Sequence, residues 1–318
     1  MLPSALRPDA TDHVPVLAEE VRRLLDIQPG DTVIDATFGA GGHADLLALD
    51  LQGSGRFIAV DRDPTARTYF ERFRRHAGVP ARFLRGEFAT VLGQLAANGV
   101  RVDAVLFDLG VSSMQVDRPD RGFSYAVDAP LDMRMDPSAD STAADIVNEL
   151  SERELQVILR RYGEERYARQ IARAIVKRRR RHPFERTGEL VETIKSAIPT
   201  PARFGEGHPA KRSFQALRIA VNDELGQLED VLPAAVELLR ARGRVAVISF
   251  HSLEDRIVKH YLRDEARGCV CPPDFPVCTC GRDPAIRVVT PRAVRPSPAE
   301  VAHNPRCASA RLRVAEKV

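Results

Sequence analysis

No run of uncharged apolar residues in this sequence approaches the roughly 20 needed to cross a bilayer. Met1 to Asp12 carry prolines and acids where a secretory leader would need a greasy stretch. A cytoplasmic protein without membrane association is therefore expected, with residues 1–12 as a mobile tail. Cysteine is scarce, five in 318 residues, and a reduced compartment argues against disulfides. Four of the five nevertheless crowd into Cys269-x-Cys271-x6-Cys278-x-Cys280. Four thiols in a short proline-rich loop invite zinc, but the Cys-x-Cys gaps are tighter than the usual spacing of about two to four residues, so a metal is not favoured. Internal repeats and long low-complexity tracts are missing too, which leaves a globular chain with room for about two domains and a substantial core.

A large excess of one charge sign is absent from the total, where the net charge is only +3. Resolved along the chain, the balance is uneven. From Arg160 to Arg186 there are eleven Lys or Arg against three Glu, a local +8. Concentrated positive charge implies a polyanionic partner. The alternative is a solvated helix face. Lys177-Arg178-Arg179-Arg180-Arg181 has no acidic neighbour at helical spacing to neutralise it, which favours nucleic acid.

What is present most clearly is a nucleotide-cradling strand and loop, Thr32-Val33-Ile34-Asp35-Ala36-Thr37-Phe38-Gly39-Ala40-Gly41-Gly42-His43. The β-branched pair predicts a buried strand, and the glycines let backbone N–H groups approach a ligand at a helix N-terminus. A second strand ends at Asp61, twenty positions after Gly41, where a carboxylate can accept hydrogen bonds from both ribose hydroxyls. Gly39-x-Gly41-x-x-Ala44 also fits a dinucleotide fingerprint, so a nicotinamide-dependent oxidoreductase stays open. Asp35 just before the loop, in the pattern Asp-x-Thr-x-Gly-x-Gly, instead resembles the acid-then-glycines signature of S-adenosylmethionine-dependent methyltransferases, with Thr37 where the first glycine usually stands. An amphipathic helix from Val14 to Leu25 precedes the first strand, unlike most nicotinamide proteins.

Strands are predicted at Val33–Ala36, Phe57–Asp61, Ala81–Arg85, Val102–Asp108, Val245–Phe250, Ile286–Thr290 and Arg311–Ala315. Helical patterns separate the early ones, as a parallel α/β sheet with helices on both faces requires. Between the fourth and fifth lie about 135 residues with helical patterns only, including the capping box Ser151-x-x-Glu154. This predicts an inserted all-helical domain over 126–215, within a discontinuous domain of 13–125 and 216–318. Pro233 is expected in the first turn of the following helix, and Gly243 at its end.

In an open α/β sheet, ligands sit outside the carboxyl ends of the strands, so Asp108 at the tip of the fourth strand is the catalytic candidate. In methyltransferases acting on exocyclic amines, this position accepts a hydrogen bond from the amine. The lone pair of an aromatic amine is delocalised into the ring. An acceptor on its N–H aims that lone pair at the methyl, and a carboxylate favours the growing positive charge. Several blocks reinforce this: Gly39-Ala40-Gly41-Gly42-His43, Ala59-Val60-Asp61-Arg62-Asp63-Pro64, Asp108-Leu109-Gly110-Val111-Ser112-Ser113, Arg121-Gly122-Phe123-Ser124, Tyr162-Gly163-Glu164-Glu165-Arg166, Ser249-Phe250-His251-Ser252-Leu253-Glu254 and Asn304-Pro305-Arg306. Together, and in this order, they resemble the bacterial small-subunit ribosomal RNA (cytosine-N4)-methyltransferase family.

The resemblance implies a Rossmann-like class I methyltransferase sheet with S-adenosyl-L-methionine as donor. It also implies methylation of a cytidine N4 in the decoding region of 16S ribosomal RNA, with the small subunit or its precursor as partner. Cofactor contacts are implied at Gly41, Gly42, His43, Asp61, Phe88, Asp108 and Gln115, with the 126–215 insertion in RNA recognition. Phe88 could pack on adenine or in the core, and Gln115 could meet the polar tail of the cofactor. His43, at a helix N-terminus, is expected to be neutral. Flat side chains should hold the unstacked cytidine, and Phe123, Tyr125, Phe250 and His251 are the candidates. His251 and Asp255, one turn apart, could pair. A ribosome-assembly factor that keeps the fold without turnover remains a further alternative.

Overall fold

In a computed structural model the described residues are 15–204, 207–269, 271, 275, 277 and 279–318. The expected tail over 1–12, the start of the first helix at Val14, and Cys278 lie outside them. The chain divides into two compact units, one of residues up to Gly110 joined with Gly226–Val318, the other Val111–Leu225. The helical unit thus begins and ends outside the expected limits of 126 and 215.

The first unit runs α1 (Ala18–Leu25), β1 (Thr32–Asp35), α2 (Gly42–Asp50), β2 (Arg56–Asp61), α3 (Ala66–His76), β3 (Ala81–Arg85), α4 (Phe88–Ala97) and β4 (Val102–Asp108). The helical unit contributes α5 (Ser113–Val116), α6 (Ala143–Glu149), α7 (Glu152–Gly163), α8 (Ala168–Arg179), α9 (Thr187–Ala197), α10 (Thr200–Arg203) and α11 (Lys211–Asn222). Then follow α12 (Glu224–Leu238), β5 (Leu239–Ser249), α13 (Ser252–Glu265), β6 (Ile286–Val288), α14 (Pro298–His303) and β7 (Arg311–Lys317). Among the described residues no helix is long and apolar enough to cross a membrane.

The described strands form one seven-stranded sheet in the order β3-β2-β1-β4-β5-β7-β6. The first five are parallel, and β7 runs antiparallel between β5 and β6. Val33 and Ile34 of β1 and Ala104 to Phe107 of β4 are buried, as a parallel sheet covered on both faces demands. The strand order reverses between β1 and β4, so the crevice at their carboxyl ends is where this topology places a ligand. Asp35 and Asp108 are the last residues of those two strands.

Two boundaries differ from expectation. Pro233 lies inside α12 rather than in its first turn. A proline there removes a backbone hydrogen bond at a cost of about 3 kcal/mol. Leu228, Val231, Leu232, Ala235, Val236 and Leu238 are all buried in the core, and each is worth about 1.5–3 kcal/mol for a fully buried large side chain, less for alanine. Packing therefore wins. Gly243 sits within β5, where the pairing jumps from Val102↔Leu239 to Ala104↔Arg244. A Cβ on Gly243 would stand 2.9 Å from the Asp103 carbonyl oxygen and 3.0 Å from that of Arg240. Close backbone approach at this bulge, not a helix stop, requires the glycine.

The helical unit has its own core, with Leu155 and Leu159 of α7, Ile171 and Ile175 of α8, Leu190 and Ile194 of α9 and Phe214 and Leu217 of α11. The capping box at α7 is formed, with the Ser151 Oγ accepting from the Glu154 N–H at 3.2 Å and a Glu154 carboxylate oxygen accepting from the Ser151 N–H at 2.8 Å. Asn222 closes the loop before α6, accepting from the Met135 N–H and donating to the Met133 carbonyl, both at 2.8 Å. Arg121 is buried beside it and donates to the carbonyls of Arg134 and Met135 at 2.9 and 2.8 Å.

Candidate cofactor and catalytic site

The loop after β1 is anchored by Phe38. This buried ring packs edge-on against Phe70, Phe73 and Phe83 at centroid distances of 5.8, 5.7 and 6.4 Å. Gly41 follows with φ of +86°, and a Cβ there would stand 2.9 Å from the Phe38 ring. Glycine is thus required twice over at this turn into α2. The Gly39 N–H donates to Asp61 Oδ2 at 2.7 Å, and the Asp63 N–H to Asp61 Oδ1 at 2.8 Å. The carboxylate at the end of β2 is fixed by two backbone donors and retains lone pairs for two hydroxyl donors.

Thr37 has a structural task that nothing in its spacing announces. Asp35 Oδ1 accepts from the Thr37 N–H at 3.1 Å, and Thr37 Oγ1 accepts from the Asp108 N–H at 2.6 Å. The residue standing in place of a glycine stitches the β1 loop to the end of β4. Thr37→Val should leave the Asp108 N–H without its acceptor, costing about 1–3 kcal/mol of unfolding free energy. Thr37→Ser should restore most of it, and urea denaturation of the two variants checks both outcomes.

Asp108 is the central acid of this crevice. Its Oδ2 lies 3.6 Å from Nε2 of His43 in the first turn of α2. His43 Nε2 and Asp108 Oδ1 are buried atoms without a hydrogen-bond partner among the described residues. Burial pushes the Asp108 carboxyl up to about 8, with the negative charges of Asp35 and Glu254 adding to it. Burial likewise raises Asp35 to about 7, less the hydrogen bond from Thr37, and Asp61 to about 6, less those from Asp63 and Gly39. It lowers His43 to about 4, so the imidazole is neutral at pH 7, as expected, with burial as the physical cause. Three carboxyls whose ionisation is opposed by burial, one of them with an unpartnered Oδ1, beside the unpartnered His43 Nε2, fit a ligand bearing positive charge and hydrogen-bonding groups.

The end of β5 completes this side of the sheet. The Phe250 ring would lie 3.6 Å from a Cβ on Gly110, so it stands against the loop that follows Asp108. His251 caps α13 rather than pairing with Asp255: its Nδ1 accepts from the Glu254 N–H at 3.4 Å. Asp255 is taken by Arg311 and Arg313 of β7, at 2.8 and 2.7 Å. Burial alone would raise the Asp255 carboxyl, but those two guanidiniums hold it below the usual range. Glu254 ends the Ser249-to-Glu254 block, and the sequence assigns it no role of its own. It is buried, accepts from the Phe250 N–H at 2.8 Å and contributes to the field at Asp108. The His251-x-x-Glu254 capping spacing was the available signal. Phe88 begins α4 half-buried, edge-on to Phe107 at 5.8 Å.

The remaining candidates belong to the helical unit. Gln115 is buried, with Oε1 accepting from the Ser112 N–H at 3.2 Å. Phe123 lies beneath the Arg121 guanidinium at 6.0 Å, and Tyr125 stacks on His208 at 4.5 Å with an interplanar angle of 10°. The basic run is partly neutralised, contrary to its sequence pattern. Arg178 pairs with Glu189 of α9 at 2.6 Å and covers the Phe184 ring at 4.2 Å, while Arg179 donates to the Val147 carbonyl at 2.8 Å. Lys177, Arg180 and Arg181 are exposed, as are Arg169 and Arg173, which share a face of α8 with Lys177 at four-residue spacing.

A model of the MraW methylase family matches residues 10–318. A curated protein of Heliobacterium modesticaldum described as ribosomal RNA small subunit methyltransferase H is 51% identical over 309 residues, covering 96% of this chain and 98% of that protein. One of Geobacter sulfurreducens with the same description is 51% identical over 314 residues, covering 96% and 99%. Neither the nicotinamide reading of the glycine loop nor a fold without turnover finds support in these matches. An acid-flanked glycine loop, an acid at the end of β4 whose buried Oδ1 has no partner among the described residues, and matches spanning both units agree: the chain belongs to the MraW methylase family.

Proposed function

We propose that this protein transfers a methyl group from S-adenosyl-L-methionine to the exocyclic N4 of a cytidine in 16S ribosomal RNA, acting in the cytoplasm on the small ribosomal subunit or its precursor. The observation that carries the reading is Asp108 Oδ1, a buried acceptor at the carboxyl end of the central strand with no partner among the described residues. The names of the relatives at about half identity point to the same RNA class.

In this reading Asp61 holds the two ribose hydroxyls, and the backbone of Gly41 and Gly42 with His43 Nε2 meets the rest of the donor. Phe88 lies against adenine, and Gln115 meets the polar tail. The donor, when bound, supplies a methyl group on a positively charged sulfur. Asp108 contacts it as well, accepts an N–H of the cytidine amine and so turns the nitrogen lone pair toward the incoming carbon. The nitrogen becomes positive as the new N–C bond forms, and the Asp108 carboxylate stabilises that charge before receiving the amine proton. Alignment of nucleophile, carbon and leaving sulfur supplies a further share, roughly 7–11 kcal/mol at best. Phe250 and His251, with Phe123 and Tyr125, are assigned to the unstacked base, and the helical unit with its exposed cations to the RNA backbone.

The test is to incubate the full chain with methyl-tritiated donor and either immature small subunits or protein-free 16S RNA. Label recovered as N4-methylcytidine after digestion is the expected result, and label on any other nucleoside, or none, refutes the reading.

Donor binding should be pH-dependent. The raised carboxyls keep protons in the ligand-free folded chain that the unfolded chain has released, so its stability should fall as pH rises from the ordinary Asp range toward 8. A cationic donor favours the ionised forms, so donor binding expels protons and strengthens with pH up to about 8. Each titrating group contributes up to about tenfold per pH unit. Calorimetry at pH 6, 7 and 8.5 should show Kd falling. A flat profile would mean that these carboxyls do not sense the donor.

A further inference from the structure

The connection from α13 to β6 is tied at its base. The Ala285 N–H donates to the Glu265 carbonyl at 3.0 Å, and Arg282 pairs with the Glu265 carboxylate at 2.8 Å. Beyond that base the chain gathers thiols. The sulfurs of Cys269, Cys271 and Cys280 all lie within 4.8 Å of one another, with Cys269 and Cys280 at 3.8 Å. Thiolates about 2.3 Å from a tetrahedral zinc stand roughly 3.8 Å apart, so this cluster has the dimensions of a shared ion.

Packing does not account for the convergence. Cys269 and Cys280 are exposed and Cys271 is half-buried, whereas Cys307 is buried. The backbone instead turns donors toward sulfur: the Cys271 N–H points at Cys269 Sγ and the Thr279 N–H at Cys271 Sγ, each at 3.4 Å. Such contacts are weak for a neutral thiol and stronger for a thiolate. The tight Cys269-x-Cys271 gap, which argues against a metal in the sequence, still leaves the two sulfurs within 4.8 Å of each other.

We propose that Cys269, Cys271 and Cys280 bind a zinc ion as thiolates, the ion acting as a clasp that closes the loop between α13 and β6. Each thiol gives up its proton to solvent as its S–Zn bond forms, and a further sulfur or a water takes the fourth position. Soft sulfur donors with no imidazole or carboxylate among the three select zinc over magnesium or calcium. The role is structural: the loop is remote in sequence from the glycine loop and from Asp108, and no step of methyl transfer requires it.

The experiment uses the full chain purified under reducing conditions and passed over a mild chelator. Elemental analysis should find about one zinc per chain, falling below about one half in both Cys271→Ser and Cys280→Ser. Cys307→Ala should leave the zinc content unchanged. Cobalt exchanged into the site should show sulfur-to-metal charge-transfer absorption, absent in the two serine variants. Trypsin should cut after the exposed Arg267 and Arg282 on the order of tenfold faster once a strong chelator has stripped the protein, and added Zn2+ should reverse this. Less than about half an ion in the reduced wild-type chain overturns the proposal. So does a Cys269–Cys280 disulfide with no metal, or a cleavage rate indifferent to zinc.

Discussion

Asp108→Asn is expected to lower methyl transfer by roughly 10²–10⁴-fold while donor affinity weakens only partly. Asparagine keeps the size of the side chain and an oxygen that can accept an amine N–H, so base positioning survives in part. It cannot hold the negative charge that meets the developing ammonium. Asp108→Ala removes the acceptor as well and should be the slower of the two. A second readout separates this chemistry from a structural role. Burial, then Asp35 and Glu254, push the Asp108 carboxyl up to about 8, so ionising it in the ligand-free chain opposes folding. Asn removes that cost, and the ligand-free variant should melt above the wild type at pH 8.5. Single-turnover transfer and thermal melts together decide the matter. Unchanged turnover, or lost turnover with a lowered melting point, would refute the role given to Asp108.

Reversing Lys177, Arg180 and Arg181 to Glu is expected to weaken RNA binding on the order of a hundredfold at 0.1 M salt. Three phosphate contacts contribute about 0.7 each to the slope of log affinity against log salt for single-stranded RNA, so the slope should shrink by about 2. Arg178 and Arg179 belong in the control. Arg178 is engaged by Glu189 and Arg179 by the Val147 carbonyl, so replacing them should disturb the helical unit before it disturbs RNA contact. Filter binding across a salt series, with melting temperatures alongside, distinguishes the groups. A slope unaltered in the triple variant would mean that the exposed cations are merely solvated.

What the sequence made legible was local. The buried strands β1 and β4 are visible in Val33-Ile34 and Ala104-Val105-Leu106-Phe107, because a strand covered on both faces must be apolar throughout. The capping box at Ser151 and the acid at the tip of each strand were equally plain. What stayed hidden were partners brought together by the fold. Asp255 looked like a mate for His251 at one helical turn, yet Arg311 and Arg313 reach it from β7, more than fifty residues away. The basic run has no neutralising acid at helical spacing because Glu189 comes from the next helix. Thr37 departs from the glycine pattern because its hydroxyl receives the Asp108 N–H, a contact the local sequence does not encode. Pro233 was misplaced because local breaker rules do not count buried side chains on the opposite face.

The pairing of β4 with β5 joins Asp108 to Ile248 across the whole length of the helical unit. While the polypeptide is still being made, β4 therefore waits, with Ala104 to Phe107 along a bare margin that its true neighbour has yet to reach. Late closure of so distant a pairing is intrinsically slow, and an apolar margin left open invites intermolecular strand pairing. Biogenesis of this enzyme accordingly has its moment of greatest exposure at the strand that ends in the proposed catalytic carboxylate, and protein dilution or a holdase during refolding should favour recovery over precipitation.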